Sequence, residues 1–278
     1  MKSTMIAPAG QTPFRPTLLR ALRLAMRDLW DHLGFAISFS LLHSLLIPLL
    51  LSVPLSLTKL IHLPPKPGYL LLTLLTLPIF PPLFAGYCFV AYRICIGRSV
   101  SWACFLQGFR QHYWPAIRLG LFQLVITFGL LANLLFYTYW HHSFSTLLSL
   151  FWAYVLLSWS LLLLYQYPLL VLQENGVFDE EGRRARRGAL AAIRRSFFLT
   201  LGNPLYTIGL LCITALLVLL CFLTGIAWIL LYPALPLQLV TRATCLLLAR
   251  YDLVPPPPKE APIEDAPWHV ETKTESTQ

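Results

Sequence analysis

The chain has 278 residues, of which 57% are hydrophobic and 12% charged, with a formal net charge of +9 and a mean hydropathy of +0.66. So apolar a composition excludes an ordinary soluble domain and a disordered chain alike, and places the protein in a bilayer. Its positive charge has to be explained within that class.

A bilayer core about 30 Å thick takes roughly 20 apolar residues of helix to cross. The N-terminal residues 1–14 carry no periodic pattern and are expected to be flexible. From Leu18 onward, Leu18, Leu22, Met26, Leu29 and Leu33 recur at spacings of three and four, with Arg20, Arg23, Arg27 and Asp31 opposite. That pattern predicts an amphipathic helix along the membrane surface. A first span follows at Leu33 to Leu60, too long for the core of a signal peptide and with no small-residue cleavage site after it. Further spans are predicted at Gly68 to Tyr92, Ala116 to Tyr139, Ser145 to Leu172, Pro204 to Leu223 and Ile226 to Val240. The last pair has only Thr224 and Gly225 for a turn, and Pro233 and Pro236 interrupt its second member. Pro48, Pro54, Pro78, Pro81, Pro82 and Pro168 lie in or beside spans, so kinked helices are expected. The predicted fold is therefore an all-α polytopic membrane protein of six spans, a single domain over 15–251.

Basic residues fix the orientation, because Lys and Arg collect in cytoplasmic loops. Nineteen of the 21 lie in the N-terminal segment, the second and fourth loops with their helix edges, and the C-terminal end; Lys59 and Lys66 fall on the other side. Both ends of the chain are then expected in the cytoplasm, in keeping with an even number of spans. The stretch from Arg183 to Arg195 holds six arginines and reads first as a topology determinant. Arg20, Arg23, Arg27, Arg110, Arg118, Arg183, Arg184, Arg186, Arg187, Arg194 and Arg195 are also the candidates for contact with anionic lipid, each worth about 1 kcal/mol where it reaches the surface. Nucleic acid is not an expected partner: the charge is divided among membrane-proximal segments with apolar faces instead of being displayed on a free domain.

The surface-helix device recurs. Trp102, Phe105, Phe109 and Tyr113 form a stripe before the third span, and Leu190, Ile193, Phe197 and Leu201 one before the fifth, opposed by Arg187, Arg194 and Arg195. Arg-x-x-aromatic occurs at Arg27, Arg110 and Arg195, followed by Gly34, Gly120 and Gly202. The placement, more than the motif, suggests three parallel units at about 15–93, 98–173 and 183–251, each a surface helix and a hairpin.

The run "FPPLFAGYCFVAYRICIGRSVSWACFLQGFRQHYWPAIRLG", with "GALAAIRRSFFLTLGNPLYTIG" further on, resembles the YesL-like family of small bacterial integral membrane proteins of unknown function. The resemblance spans roughly Pro16 to Arg250 and rests on a diffuse pattern. It implies a bacterial cytoplasmic membrane and, since some members are associated with carbohydrate-uptake systems, an accessory role beside another membrane protein such as a transport system.

Chemistry is sparse in the spans. No Asp or Glu stands between Asp31 and Glu174 or between Glu181 and Asp252, so the buried carboxylate typical of ion-coupled transport is missing. His43, Gln123, Asn133, Gln166 and Gln238 are the intramembrane polar candidates, read as interhelical hydrogen-bonding groups. If they lined a cavity, transport of a neutral or anionic small solute would be favoured; if they packed on one another, a scaffold would be. His141 and His142, beside Trp140, point different ways on a helix and have no carboxylate or cysteine to complete a metal site. Cys88, Cys95, Cys104, Cys212, Cys221 and Cys245 lack CxxC spacing and read as small buried hydrophobes. No GxSxG, HExxH or phosphate-binding glycine loop is present. No cofactor, metal or catalytic residue is expected, and a lipid-modifying enzyme is the third reading. From 252 to 278 the chain turns proline-rich and acidic, predicting a disordered cytoplasmic tail with Trp268 as its one large apolar anchor. The best-supported function from these residues is a non-enzymatic accessory, scaffolding or regulatory protein on anionic lipid.

Overall fold

The structure is a computed structural model, and it describes residues 17–60, 78–139, 144–178, 187–251 and 253–254. Among these residues every regular element is helical: α1 (Leu18–Asp31), α2 (Leu33–Leu60), α3 (Phe80–Cys95), α4 (Trp102–Tyr139), α5 (Ser145–Glu174), α6 (Ala189–Gly202), α7 (Pro204–Thr224), α8 (Ile226–Leu231) and α9 (Ala234–Arg250). Four of them, α2 through its window Leu33–Leu50, α4, α5 and α7, are long and apolar enough to cross a membrane. The first part of the expected second span, 68–77, lies outside the described residues, as do 1–16, Trp140, His141, His142, Arg183, Arg184, Arg186 and the tail from 255.

Thr17 caps α1, its hydroxyl accepting from the Arg20 N–H at 3.3 Å, a bond that satisfies one of the orphan donors of the first turn. α1 then packs on α9. Its covered face is Ala21, Leu24, Ala25 and Leu29, whereas Met26 is 46% exposed. Of the expected surface stripe, Leu29 is buried, Leu18 and Leu22 are half-buried against the core and Met26 is turned out, so the covered face is displaced toward Ala21 and Ala25: the small alanines let α1 approach α9 closely, and a protein neighbour takes the place assigned to lipid. α1 ends at His32, and α2 starts at once.

The middle unit differs from the expectation in another way. The stripe before the third span is no separate surface helix: α4 runs unbroken through Pro115 for 38 residues, about 57 Å at 1.5 Å per residue. Its first turns pack on α3 and α2, with Phe105 buried and the Phe35 and Trp102 rings 4.9 Å apart. At Gly108 the helices come so close that an added Cβ would lie 2.6–2.8 Å from Phe89 side-chain carbons.

α3 and α9 form the interior. α3 lies against α4, α5 and α9, and α9 touches α1, α2, α3, α5 and α7. All of α9 from Ala234 to Ala249 except Leu237 is buried, as expected of a helix apolar on nearly every side. The predicted sixth span, Ile226 to Val240, is not one kinked helix. It divides into α8 and α9, with Pro233 at the α9 N-cap, because proline has no N–H to carry the α8 ladder onward; α9 then continues to Arg250.

Replacing Gly108 with Ala forces Phe89 aside and should destabilise by about 1–3 kcal/mol. Gly129→Ala, with nothing within 4 Å of its Cβ, should stay within about 1 kcal/mol of the parent. Thermal unfolding in nanodiscs checks the contrast.

Candidate functional site

Seven residues separate Ala21 from Asp28, two helical turns, so Asp28 faces α9 with the buried stripe and not the basic face that its neighbours Arg23 and Arg27 occupy. On α9, Gln238, Arg242 and Cys245 share a face at spacings of four and three. The Arg242 Nε lies 3.3 Å from Asp28 Oδ2, with side chains 7% and 12% exposed. Arg242 Nη1 also donates to the carbonyl of Cys95 at 3.0 Å, the last residue of α3, where a cation meets the negative end of the helix dipole. Gln238 Nε2 donates to Asp28 Oδ2 at 3.5 Å. One guanidinium thus joins α1, α3 and α9. Burial raises the Asp28 carboxyl above the usual carboxylate value, with Arg242 and then Gln238 pulling it back.

A second polar assembly binds the end of α5 to α6, α7 and α9. Gly188, in the left-handed region at φ 113°, starts α6 and accepts at its carbonyl from Gln173 Nε2 at 2.8 Å. Arg195 Nη1 donates to Gln173 Oε1 at 2.7 Å, and its guanidinium carbon stands 4.1 Å from the centre of the Phe178 ring. Arg250 Nη1 donates to Asn203 Oδ1 at 3.0 Å, and Asn203 Nδ2 to the Tyr251 hydroxyl at 3.0 Å. Beside these bonds runs a groove of about 290 Å³, with Leu169, Phe178, Arg195, Phe198, Leu248 and Tyr251 among its walls. A larger concavity of about 610 Å³ is lined by Ala103, Leu106, Gln107, Arg110 and Gln111, all on α4, and is the outer side of one helix.

Of the arginines read as lipid contacts, Arg23, Arg27, Arg110, Arg118, Arg187 and Arg194 are exposed, and Arg20 and Arg195 half-buried. Arg27 lies 3.9 Å from Asp31 with both side chains more than half exposed, an ion pair of small worth. Of the expected α6 stripe, Leu190, Phe197 and Leu201 are exposed, as an interfacial face requires, but Ile193 is half-buried against the core; Ala189, Ala192, Ser196 and Leu199 form the buried side. Arg194 sits on the exposed face, over Phe198 at 5.6 Å, and not on the opposite side as the sequence pattern suggested.

The intramembrane polar residues do not form one group. Gln123 Nε2 donates to Gln166 Oε1 at 2.7 Å, and the Tyr167 hydroxyl donates to Gln123 Oε1 at 3.0 Å. Asn133 turns to its own helix, donating to the Gly129 carbonyl at 2.7 Å. His43 is buried among the rings of Phe80, Phe84 and Tyr232, at 5.3, 5.8 and 5.7 Å. Gln238 belongs to the Asp28 assembly. Four of the six cysteines are buried, but Cys104 is half-buried and Cys212 exposed, the latter on the outward side of α7. Among the described residues no three His, Cys, Asp or Glu side chains gather around one point that would hold a metal ion.

Asp28, Arg242, Phe178 and Tyr251 were missing from the sequence-derived set. Asp28 had a usable signal, its helical phase; the others needed the tertiary contacts. Comparison of the chain with family models, curated proteins and solved structures gave no match.

Asp28→Asn leaves the buried guanidinium without its carboxylate and should destabilise by about 3–5 kcal/mol. Arg242→Met removes the main influence lowering the Asp28 carboxyl. A folded-state pKa held above the unfolded one gives stability that is lost as pH rises through it. This variant should therefore melt lower at mildly alkaline than at mildly acidic pH. Asp28→Leu with Arg242→Met should be within about 1 kcal/mol of the parent or more stable, without that added slope. Melting curves of parent and variants in nanodiscs at both pH values test all three.

Proposed function

We propose that the protein is a non-enzymatic accessory or scaffolding component of a bacterial cytoplasmic membrane, contacting anionic lipid through its arginines and holding another membrane protein, in the manner its resemblance to the YesL-like family suggests. In this reading both ends of the chain are cytoplasmic. The chain crosses six times, α3 with the residues before it and α8 with α9 adding the second and sixth crossings to α2, α4, α5 and α7. The three units become α1–α3, α4–α5 and α6–α9, the first turns of α4 standing in the middle unit where the others have a separate helix.

The observation that carries the reading is the pairing of Gln123 with Gln166 and Tyr167. These amides, the best placed to line a solute path, close on one another and join α4 to α5, which is what polar groups do when their task is to hold helices together. The basic residues give further support. Asp28–Arg242 and Arg242–Cys95 tie the ends of α1 and α3 to α9, Arg195–Gln173 ties α6 to the end of α5, and the exposed Arg23, Arg27, Arg98, Arg187 and Arg194 lie on or beside these segments. In this reading these arginines share the cytoplasmic face, as the distribution of basic residues across a membrane requires.

Purification in native-lipid particles, compared with an unrelated six-span protein, tests the role: a stoichiometric membrane protein is expected, and a recurrent small solute with no protein partner would replace this reading with transport. Reporter fusions after Gln173 and Asp252 should both report cytoplasm, a periplasmic signal at either place breaking the six-span arrangement. Changing Arg183, Arg184, Arg186 and Arg187 together to Gln should lower the enrichment of anionic over zwitterionic lipid around the protein by about tenfold or more at low salt, each arginine at the surface contributing about 1 kcal/mol; mass spectrometry of the retained lipid measures it.

A further inference from the structure

We infer that Cys95 and Cys245 form a redox-active dithiol, which a low-molecular-weight disulfide oxidises to a covalent clamp between the end of α3 and α9. The inference goes beyond the accessory role proposed above and does not depend on it.

Arg242 brings the two cysteines together. Its Nη1 holds the Cys95 carbonyl at 3.0 Å, which fixes the last residue of α3 against the turn of α9 that begins at Arg242. Cys245 stands three residues further on, on the same face of that helix. Both cysteines belong to one apolar cluster, at 6% and 5% exposed, and one thiol hydrogen-bonds the other. A single buried thiol behaves as a small hydrophobe. Two that adjoin on helices held in register are already placed to react, which removes the entropic part of the barrier to closing a disulfide. The clamp would leave the existing joint intact, because Arg242 binds the backbone carbonyl of Cys95 and the new bond would use only its sulfur.

Position gives the two sulfurs different parts. Cys95 ends α3; Gly97 follows in the left-handed region at φ 71°, and Gly97 and Arg98 are exposed. A helix end opens at a lower free-energy cost than a helix interior, so Cys95 is the thiol that meets the oxidant, and Cys245, inside α9, is the one that resolves. In the first exchange the Cys95 thiolate attacks one sulfur of the small disulfide, forming a mixed disulfide and releasing one small thiolate. The Cys245 thiolate then attacks the Cys95 sulfur, breaking its bond to the small molecule and releasing the second. The two protons lost by the protein leave on the two released thiolates. The protein gives up two electrons, and one small disulfide is reduced to two thiols.

The full chain in nanodiscs tests this, with Cys104→Ser and Cys212→Ser removing the two less buried thiols. It is equilibrated with reduced and oxidised glutathione at a series of ratios, then denatured and alkylated. At oxidising ratios two of the four remaining thiols should escape alkylation, and peptide mapping should place the bond between Cys95 and Cys245. Adding Cys245→Ser should stop the reaction at one glutathione on Cys95. Adding Cys95→Ser should leave Cys245 free to be alkylated after denaturation. The oxidised protein should melt about 5 °C or more above its reduced form, a shift that both of these variants lack; melting curves under reducing conditions confirm that each variant folds. Four alkylated thiols at the most oxidising ratio, a bond between other cysteines, or a Cys95–Cys245 bond that forms only in the unfolded chain overturns the inference. So does a bond that forms in the folded chain and leaves its melting temperature unchanged, since it would clamp nothing. None of these outcomes bears on the accessory role, which the co-purifying protein decides.

Discussion

A charged pair taken out of water is among the more costly things a small helical bundle can contain, and here Asp28 and Arg242 join the first described helix to the last. Coulomb attraction at 3.3 Å does not by itself repay the desolvation of both ions, and the raised Asp28 carboxyl expresses that deficit. Its surroundings offset part of that cost: the Cys95 carbonyl takes one Arg242 N–H, the end of α3 supplies a favourable dipole, and Gln238 adds a donor to the carboxylate. Such an assembly contributes little to stability relative to a well-packed apolar one, but it permits only one register. Sliding α9 by one residue turns Arg242 about 100° away from Asp28 and leaves both charges stranded.

That register determines the rest of the bundle. With α1 and the end of α3 both held to α9, the two short helices α3 and α9 have nowhere to face lipid, and the longer α4, α5 and α7 take the outside. Their exposed leucines and aromatics are then ordinary lipid-facing surface and not an unexplained patch. Several polar side chains bridge helices in the interior. Tyr165 meets Thr207 at 3.0 Å, Trp159 meets Thr127 at 3.0 Å, and Gln123 meets Gln166, each bond joining a different pair of positions on neighbouring helices. A bundle fastened at so many points on so many helices is suited to presenting a fixed surface.

The class of the fold was legible because hydropathy is a property of composition: α2, α4, α5 and α7 are each apolar over 18 residues or more, and no tertiary information is needed to find them. Boundaries followed local chemistry where proline or glycine acted alone, as at Gly225 and Pro233. The break expected before Ala116 is absent, since the turns before it are supported by packing of Phe105 and Gly108 on α3, and the helix continues through Pro115. Faces were harder. The α1 wheel was drawn from its large residues, but close approach to α9 selects the small ones, Ala21 and Ala25, so the covered stripe is displaced. Asp28 was left off the wheel, although its phase places it with the alanines. Arg242 was counted among residues that orient the chain, and nothing local distinguishes it from Arg250, because its partner is near only once α1 and α9 have met. The groove was illegible for the same reason: Phe178, Arg195 and Tyr251 come from three separate segments.

Arginine accordingly does two jobs in this chain, and helical phase decides which. At Arg194 the side chain lies on an exposed apolar face, its stem along Phe198 and its head free to reach headgroups, the behaviour of a snorkelling residue. One position on, Arg195 has turned by about 100° toward α5 and is fixed by Gln173 and Phe178. The first kind contributes a diffuse attraction that salt weakens; the second ties α6 to the end of α5 and is spent inside the bundle. A cluster of arginines read only as net charge conceals this division. Adjacent residues of one type on one helix can therefore serve the membrane surface in one case and the cohesion of the bundle in the other.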